Sequence, residues 1–423
     1  MNQQTALAIL KSGRNVFLTG PAGSGKTFLL NEFIKHLREN GVRPVVTAST
    51  GISATHMNGV TIHSWSGLGI KDTLSDEDLE LMARNMPLRL RIGSAKVLII
   101  DEISMLHAHQ LDIVDRICRR FKHPDQPFGG LQVIFSGDFF QLPPVSRGPR
   151  GAVAYAYESE VWNAMDLAVC YLDGQYRQKN GELLEILSDI RQGSVNDRTW
   201  QIIFSRQDVI SDSDIKPARL FTHNRDVDFI NLGELALIDE DAHYYHMHEK
   251  GNEKLIALLQ KSCLAPEELV LKKGAQVMFV KNNYDKGYVN GTMGVITGFD
   301  EDDDLPIVTT TDGDSITVER EKWIIEDEQG KTLASIKQIP LRLAWAITVH
   351  KSQGMSLDSA EIDLSKSFEY GMGYVAFSRV RSLDGLFLKG INPRSLNMHP
   401  KVVSLDAELR EQSKKVEKEM QQL

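Results

Sequence analysis

A short loop near the start of the chain has the residues needed to bind phosphate. It lies between the apolar run 16–18 and a run with helical periodicity, and its sequence is Gly20-Pro21-Ala22-Gly23-Ser24-Gly25-Lys26-Thr27. The glycines let backbone N–H groups approach phosphate oxygens, and the following helix adds the partial positive charge of its N-terminus. In this pattern Lys26 reaches the β- and γ-phosphates, and the Thr27 hydroxyl ligates Mg²⁺. The loop therefore predicts binding of a nucleoside triphosphate, with contacts from Gly20, Ala22, Gly23, Ser24, Gly25, Lys26 and Thr27.

Two adjacent carboxylates end a second apolar run. Residues 97–100 are Val-Leu-Ile-Ile, and Asp101 and Glu102 follow them directly. Such a run is typical of a strand buried on both faces of a parallel sheet, and ligands bind at the carboxyl ends of such strands. We therefore expect Asp101 to hold Mg²⁺ through water and Glu102 to orient and deprotonate the attacking water.

A third polar loop follows another buried run and contains Gly137, Asp138 and Gln141. A glutamine beside the nucleotide can sense the γ-phosphate, and the loop after it can pass that state to a second site. This signal is weak by itself. Together with the two motifs above it indicates a helicase-type motor.

Composition limits the class of protein. The chain has 423 residues, a formal net charge of −9 and three scattered cysteines, Cys118, Cys170 and Cys263. The length suits two or three domains, and dispersed cysteines fit a reducing cytosol and exclude a cysteine-based zinc site. The negative charge argues against a basic surface that coats duplex, but it is compatible with a narrow cleft for a single strand. With no secretion signal and no apolar run of membrane length, we predict a cytoplasmic protein with no membrane partner.

Strand-like and helix-like runs alternate along the first half, which predicts an α/β fold with a parallel sheet and right-handed crossovers. The expected strands are 16–19, 44–48, 97–100 and 131–135. A second α/β pattern begins near residue 175, with a strand at 218–221 and a helix at 226–237.

These patterns divide the chain into five parts. They are a first α/β domain (1–60 and 92–174), a small subdomain on it (61–91), a second α/β domain (175–272 and 337–405), a small β-barrel insert (273–336) and a charged tail (406–423). Short strands separated by Asn-Gly and Asp-Gly turns predict the insert. The helical pattern is expected to resume at Leu341, and the tail is expected to be helix-prone and exposed to solvent.

Several stretches match one known family in order. They are residues 47–54, 59–64, 101–106, 137–145, 175–178, 343–355 and 374–381. In these stretches the chain resembles the petite-integration-frequency (PIF) family of superfamily-one DNA helicases. The resemblance implies two RecA-like P-loop domains with ATP between them, a wedge at 61–91 and a Src-homology-three-like barrel as the insert. It also implies ATP-driven 5′-to-3′ movement on single-stranded DNA, with family-level roles in DNA repair, recombination and telomere maintenance.

The resemblance assigns further residues to the nucleotide. Arg177 and Arg379 match the family's two arginine fingers, and a guanidinium fork stabilises the charge that develops in phosphoryl transfer. Gln3 matches the glutamine that recognises adenine, although the register between Gln3 and Gln4 stays open. Gly354, in the stretch 343–355, is assigned to the nucleotide site as well.

Small polar and aromatic residues are expected to contact DNA through phosphates or stacked bases. They are Thr50, His63, Phe140, Thr222, Asn224, Thr348 and His350. Roles in the protein core for His63, His350 and Phe140 remain open alternatives.

The sequence therefore predicts an ATP- and Mg²⁺-dependent 5′-to-3′ DNA helicase. Its expected partners are single-stranded DNA and forked or tailed duplex, and it is expected to act as a monomer. One alternative is a DNA-dependent ATPase that translocates or remodels without separating strands. Another is a nucleotide switch like a GTPase, against which Gln3, Gln141 and the candidate arginine fingers argue. The sequence leaves open which structure is opened, a G-quadruplex or an RNA–DNA hybrid among them.

Overall fold

The computed structural model divides the chain into two compact units. The first is built mainly from Met1–Tyr176 and from the chain after Val403, and the second from the chain between them. The structure describes residues 1–69, 71–144, 154–176, 178, 181–211, 215–221, 225–326, 331–349, 351–367 and 370–422. Predicted site residues that lie outside the described residues are Arg177, Thr222, Asn224 and His350.

The first unit is a parallel sheet with helices in its connections. Its elements are α1 (Gln3–Lys11), β1 (Asn15–Thr19), α2 (Lys26–Glu39), β2 (Val45–Ala48), α3 (Gly51–His56), β3 (Val60–Thr61), α4 (Ile62–Ser66), α5 (Asp76–Ala83), α6 (Met86–Ser94), β4 (Val97–Asp101), α7 (Ala108–Phe121), β5 (Gln132–Ser136), α8 (Glu160–Ala164) and β6 (Leu167–Tyr171). The strand order is β3-β2-β4-β5-β1-β6, with every pairing parallel. The predicted parallel sheet is confirmed, and β1, β2, β4 and β5 are the four strands expected from the sequence.

The helix α2, which follows the phosphate loop, is held against the core by its apolar face. Leu29, Leu30, Phe33 and Ile34 are buried, and their spacing places them on one side of the helix. They share a core with residues of β1, β4 and α1. Each such side chain contributes about 1.5–3 kcal/mol when buried. The loop between β1 and α2 is therefore held by packed elements on both sides.

The second unit combines a parallel sheet with antiparallel strands. Its elements are α9 (Gly181–Gln192), α10 (Asp197–Phe204), β7 (Ala218–Phe221), α11 (Arg225–Ala236), β8 (His243–His246), β9 (His248–Gly251), α12 (Glu253–Ser262), β10 (Glu268–Leu271), β11 (Gln276–Phe279), β12 (Met293–Phe299), β13 (Pro306–Thr310), β14 (Ser315–Thr317), β15 (Glu321–Glu326), β16 (Thr332–Gln338), β17 (Leu341–Leu343), β18 (Ala346–Thr348), β19 (Ala360–Leu364), α13 (Met372–Phe377) and β20 (Leu386–Ile391). The parallel sheet has the order β18-β7-β19-β20. The second α/β pattern is thus confirmed, with its strand at 218–221 as predicted.

The antiparallel part is larger than the predicted insert at 273–336. Its main sheet has the order β14-β13-β12-β11-β17, and β8 pairs with β10 while β9 pairs with β16. Tyr245 of β8 and Leu269 of β10 share one core with Val277 of β11 and Leu341 of β17. Strands of four residues whose partners are distant in sequence leave little local pattern, so the first strands of this region were not predicted.

The helix expected to resume at Leu341 is a wrong prediction. Two short strands occupy this stretch, because β17 pairs with β11 and β18 pairs with β7. A short continuous apolar run has no periodicity that separates a buried strand from a buried helix. Only the neighbouring strands decide between the two.

The prediction of an exposed tail at 406–423 is also corrected. The helix α14 spans Pro400–Gln421, and from Ser404 onward it belongs to the first unit. In this part of the helix the buried residues Leu409, Ser413 and Val416 form a narrow stripe along one face. Because the other faces of the helix carry many charged residues, the composition of this segment gave no indication of a buried face. None of the described helices, including this long one, combines the length and apolarity that crossing a membrane requires.

Candidate nucleotide site and nucleic-acid interface

Three motifs meet at the carboxyl edge of the first sheet. β4, β5 and β1 are neighbours in that sheet, and they lead into Asp101 and Glu102, the Gln141 loop and the phosphate loop, respectively. The Gly137 N–H donates to the Leu18 carbonyl at 3.1 Å, which joins the loop after β5 to β1. The fold therefore places the predicted Mg²⁺, water and phosphate ligands on one edge, where open α/β sheets bind ligands.

The phosphate loop has a backbone that only glycine fits at two positions. Gly20 has a φ of 144°, and a Cβ there would come 2.5 Å from the Leu172 carbonyl oxygen. Gly25 precedes α2 with a φ of 85°, and a Cβ there would collide with the Gln3 side-chain amide. The loop stays open because no side chain fills it, so phosphate oxygens can approach its N–H groups.

Lys26 and Ser24 are placed to meet those oxygens. The Lys26 ammonium donates to the carbonyls of Gly20 and Pro21 at 2.8 and 3.0 Å, so it lies over its own loop. The Ser24 hydroxyl is buried and has no hydrogen-bond partner among the described residues. A buried hydroxyl in a glycine-lined loop beside an ammonium fits a bound triphosphate. Thr27, in the first turn of α2, is exposed and accessible to a metal ion.

Asp101 and Glu102 differ in environment. Burial raises the pKa of Asp101, while the Ser136 hydroxyl, the Glu102 amide and the charge of Lys26 act in the opposite direction. Glu102 has left-handed backbone angles, with φ 51° and ψ 44°. Such a conformation costs a non-glycine residue about 1–3 kcal/mol and is concentrated at functional sites. The strand thus ends in a buried carboxylate that suits a metal ligand, and the backbone leaves the extended conformation at the second carboxylate.

A cavity of about 420 Å³ adjoins the phosphate loop. Its lining includes Gln3, Ser24 and Tyr176. Gln3 begins α1 and faces Gly25, whereas Gln4 is exposed, so the structure favours Gln3 as the glutamine beside the nucleotide. The cavity has the size and polarity for the nucleoside part of a nucleotide bound at the loop.

Arg379, the described candidate arginine finger, lies in the second unit after α13. It is 1% exposed, and its guanidinium donates to the Val375 and Ser352 carbonyls at 2.9 and 3.2 Å and to the Ser378 hydroxyl at 2.7 Å. Gly354 lies two residues beyond Ser352, with a φ of 79°. The finger role of Arg379 remains a prediction.

The predicted DNA-binding residues in the described part of the first unit differ in how accessible they are to a ligand. Thr50 caps α3, and its hydroxyl accepts the Ser53 N–H at 3.3 Å. His63 lies in α4, where burial lowers its pKa more than the Gln110 side chain and Asp72 raise it. Phe140 is only 3% exposed. Thr50 and His63 are both half-buried and thus more accessible than Phe140, and the core alternatives for His63 and Phe140 stay open.

Thr348 ends β18, close to a cluster of charges in the second unit. Its hydroxyl accepts the Lys351 N–H at 3.2 Å. Burial lowers the pKa of Arg342 and of Lys351, Arg342 lowers that of Lys351 further, and Asp228 raises both. The Arg342 Nε is buried without a hydrogen-bond partner among the described residues. Two positively charged side chains beside a single carboxylate leave a net positive charge, which favours the binding of an anion at this place.

Comparison with known proteins decides the family. The model described as PIF1-like helicase matches residues 1–200, and the one described as DNA helicase Pif1, 2B domain, matches 254–299. The ATP-dependent DNA helicase Pif1 of Psychrobacter sp. (strain PRwf-1) is 46% identical over 98% of this chain and 71% of its own length. The chain belongs to the PIF1-like helicase family. The resemblance seen in the sequence is thereby confirmed.

Solved Pif1 structures confirm the fold class of this PIF1-like helicase. Bacteroides sp Pif1 in complex with ADP-AlF4 is 30% identical, with a TM-score of 0.82 over 97% of this chain and 96% of that chain. Bacteroides Pif1 bound to ssDNA is 30% identical, with a TM-score of 0.63 over 97% of this chain and 96% of that chain.

Sequence reasoning missed three residues of this PIF1-like helicase that the structure places at candidate sites. Tyr176 is 68% exposed and lines the cavity with Gln3, where its ring could stack on a base. Its place beside Arg177 in a matching stretch was the available signal. No sequence signal pointed to Arg342 and Lys351. These two residues come close to each other only through the arrangement of β17, α11 and the turn after β18.

Ser49 joins the segment after β2 to the strand-end carboxylates. Its hydroxyl donates to the Glu102 carbonyl at 2.7 Å, and its N–H donates to the Asp101 carbonyl at 3.2 Å. Ser49 directly precedes Thr50, a DNA candidate. A change at Thr50 can therefore reach the backbone of Glu102 through its neighbour Ser49 and one hydrogen bond.

Replacing Ser49 with alanine removes that hydroxyl bond. One such bond is worth about 1 kcal/mol, so we expect the ATP turnover stimulated by single-stranded DNA to fall by about fivefold. Turnover without DNA should change by less than about twofold, since the nucleotide ligands themselves remain. Steady-state ATPase assays with and without an oligonucleotide, beside Ser94→Ala on α6 as control, measure both. An equal loss in both assays would show that Ser49 has no coupling role.

Proposed function

We propose that this chain moves 5′-to-3′ along single-stranded DNA and separates duplex as it moves. As a member of the PIF1-like helicase family it is an ATP-dependent DNA helicase. The observation that carries the ATPase part is the meeting of Lys26, Asp101 and the Gln141 loop at one sheet edge. The direction rests on the resemblance of residues 47–64 and 343–355 to the 5′-to-3′ family.

In this proposal each residue of the nucleotide site has a separate task. Lys26 and the loop N–H groups bind the phosphates, while Gln3 and Tyr176 hold the base. Thr27 and Asp101 would hold Mg²⁺, which when bound neutralises phosphate charge. Glu102 orients the water and takes its proton, and Gln141 senses the γ-phosphate.

The arginines and the domains complete the proposal. Arg177 and Arg379 stabilise the negative charge that develops on the γ-phosphate, from a second RecA-like domain at 175–272 and 337–405. The first RecA-like domain, at 1–60 and 92–174, carries the phosphate loop, and the wedge is at 61–91. Because the two arginines and the loop belong to different domains, hydrolysis would depend on domain closure, and closure would move the DNA.

DNA contacts in this proposal are mainly to phosphates. Thr50 and Thr348 donate hydroxyl bonds, and the positive charges of Arg342 and Lys351 attract the backbone near Thr348. His63 and Phe140 would stack on bases, and the same DNA role is proposed for Thr222, Asn224 and His350. Binding should therefore weaken as salt is added.

We also propose that the enzyme acts as a monomer in the cytoplasm. The cysteines Cys118, Cys170 and Cys263 are all free and buried, which suits a reducing compartment. Light scattering with and without a tailed duplex would test the oligomeric state.

The polarity proposal predicts a one-sided unwinding result. We expect efficient strand separation of a duplex with a 5′ single-stranded tail and at least about tenfold slower separation with only a 3′ tail, because a motor that moves 5′-to-3′ reaches the junction from one side only. A fluorescence-based unwinding assay on the two substrates, which differ only in tail position, measures this. Equal opening of both, or preference for the 3′ tail, would refute the proposed direction.

The same assay distinguishes the proposed helicase from the alternative, a translocase that does not separate strands. That enzyme would hydrolyse ATP with single-stranded DNA and displace a bound protein block, yet it would leave both tailed duplexes paired.

A further inference from the structure

The C-terminal helix α14 is fixed to the edge of the first sheet next to the cavity that contains Gln3. β6 is an edge strand of that sheet, and the N–H of its last residue, Tyr171, donates to the Ser413 hydroxyl at 3.0 Å. Val416 is buried in the core that α1 and α2 share with the sheet. The helix thus supplies a hydrogen-bond acceptor to an N–H of the edge strand and adds apolar contact with the core.

A polar network fixes the rotation of α14 about its axis. Arg410 lies over the Tyr171 ring at 4.2 Å from its centroid and donates to the Tyr171 hydroxyl at 2.7 Å. Asp406 accepts from the Tyr171 hydroxyl and from Arg410, each at 2.8 Å. With contacts at Asp406, Arg410, Ser413 and Val416, one face of the helix is held against the first unit.

Glu417 follows directly on this fixed face. It is half-buried and lines the cavity of about 420 Å³ together with Gln3, Ser24 and Tyr176. Among the described residues, it takes part in no hydrogen bond or ion pair. Asp173 is a second carboxylate on the cavity wall.

Chemistry decides which part of a nucleotide suits this wall. An ionised carboxylate accepts hydrogen bonds and donates none, so it needs a donor. It repels phosphates, which belong at Lys26 and the loop N–H groups. The nucleoside end has donors in the 6-amino group of adenine and in the 2′- and 3′-hydroxyls of ribose. A carboxylate placed at that end therefore accepts from one of them.

We propose that Glu417 is a specificity-determining residue of the nucleotide site, accepting a hydrogen bond from the 6-amino group or a ribose hydroxyl of the bound adenine nucleotide. The inference rests on the proposed nucleotide site and extends it to α14. In this arrangement Gln3 and Glu417 approach the nucleoside from two different helices, and the helix that composition predicts as a tail becomes part of the active site.

Equilibrium binding tests the assignment without requiring hydrolysis or unwinding. Calorimetry with Mg²⁺ gives the Kd of ADP, of IDP, which lacks the 6-amino group, and of 2′,3′-dideoxy-ADP, which lacks both ribose hydroxyls. We expect Glu417→Ala to weaken ADP by about tenfold, as for loss of one bond to a charged acceptor. The analogue that lacks the relevant donor should bind wild type and variant equally, and this identifies the donor.

Two controls keep the result specific. Glu411→Ala makes the same change at an exposed position of α14 and should leave all three Kd values unchanged, and Glu417→Gln should fall between wild type and Glu417→Ala. Unfolding temperatures report whether α14 stays seated. An ADP affinity within twofold of wild type, or an equal loss for all three nucleotides, overturns the role of Glu417. Because unwinding of the 5′-tailed duplex is measured separately, that outcome would leave the helicase proposal standing.

Discussion

Replacing Arg379 with alanine is expected to lower the DNA-stimulated kcat for ATP by about a thousandfold, with only a modest change in ATP affinity. The variant lacks the guanidinium that stabilises the negative charge on the γ-phosphate oxygens in the transition state. The contacts between ATP and the phosphate loop in the ground state remain. Steady-state ATPase with saturating single-stranded DNA, together with ATP binding, measures the two quantities. Arg177→Ala should have the same effect.

The fold offers a matched control two residues away. Arg381 pairs with the Asp358 carboxylate at 2.6 Å and is not assigned to the nucleotide, so Arg381→Ala should keep near-wild-type turnover. Arg379→Lys should not restore activity, because an ammonium is a point charge and not a planar fork. Since Arg379 is buried and donates to two carbonyls, its variants need an unfolding measurement beside the assay. A folded Arg379→Ala protein with normal turnover would remove Arg379 from the mechanism.

Glu102→Gln is expected to slow ATP hydrolysis by about a hundredfold or more while ATP still binds. The amide keeps the size of the side chain but cannot take a proton from the attacking water. Single-turnover hydrolysis and equilibrium ATP binding separate the two effects. Lys26→Ala in the same assays should lose phosphate binding as well, since its ammonium lies over the loop carbonyls of Gly20 and Pro21.

An isosteric control tests whether the effect belongs to the site. Glu39→Gln makes the same substitution at the exposed end of α2 and should leave hydrolysis unchanged. Wild-type turnover in Glu102→Gln would exclude Glu102 as the general base. If the variant also failed to bind ATP, Glu102 would instead have a structural role at the end of β4.

The sequence by itself was sufficient to predict a nucleotide site and the sheet that carries it. The phosphate loop, the Asp101–Glu102 pair and the Gln141 loop are local patterns, and each adjoins an apolar run of strand length that favours a buried strand of a parallel sheet. Four strands of the first sheet and the strand at 218–221 were predicted for the same reason. The regular alternation of strand-like and helix-like runs along the chain indicated these strands, even though β1 and β7 pair with strands that are distant in sequence.

Tertiary structure alone decided the parts that depend on distant contacts. The bond from Tyr171 to Ser413 joins residues 242 positions apart, and it holds the helix predicted as a charged tail beside the cavity that Glu417 lines. The strands at Leu341–Leu343 and Ala346–Thr348 exist because β11 and β7 pair with them, while their own composition fits a helix equally well. The cavity around Gln3, Tyr176 and Glu417 draws residues from both ends of the first unit. Spacing along one chain specifies a loop or a strand, but the meeting of residues hundreds of positions apart is set by which surfaces the folded core buries.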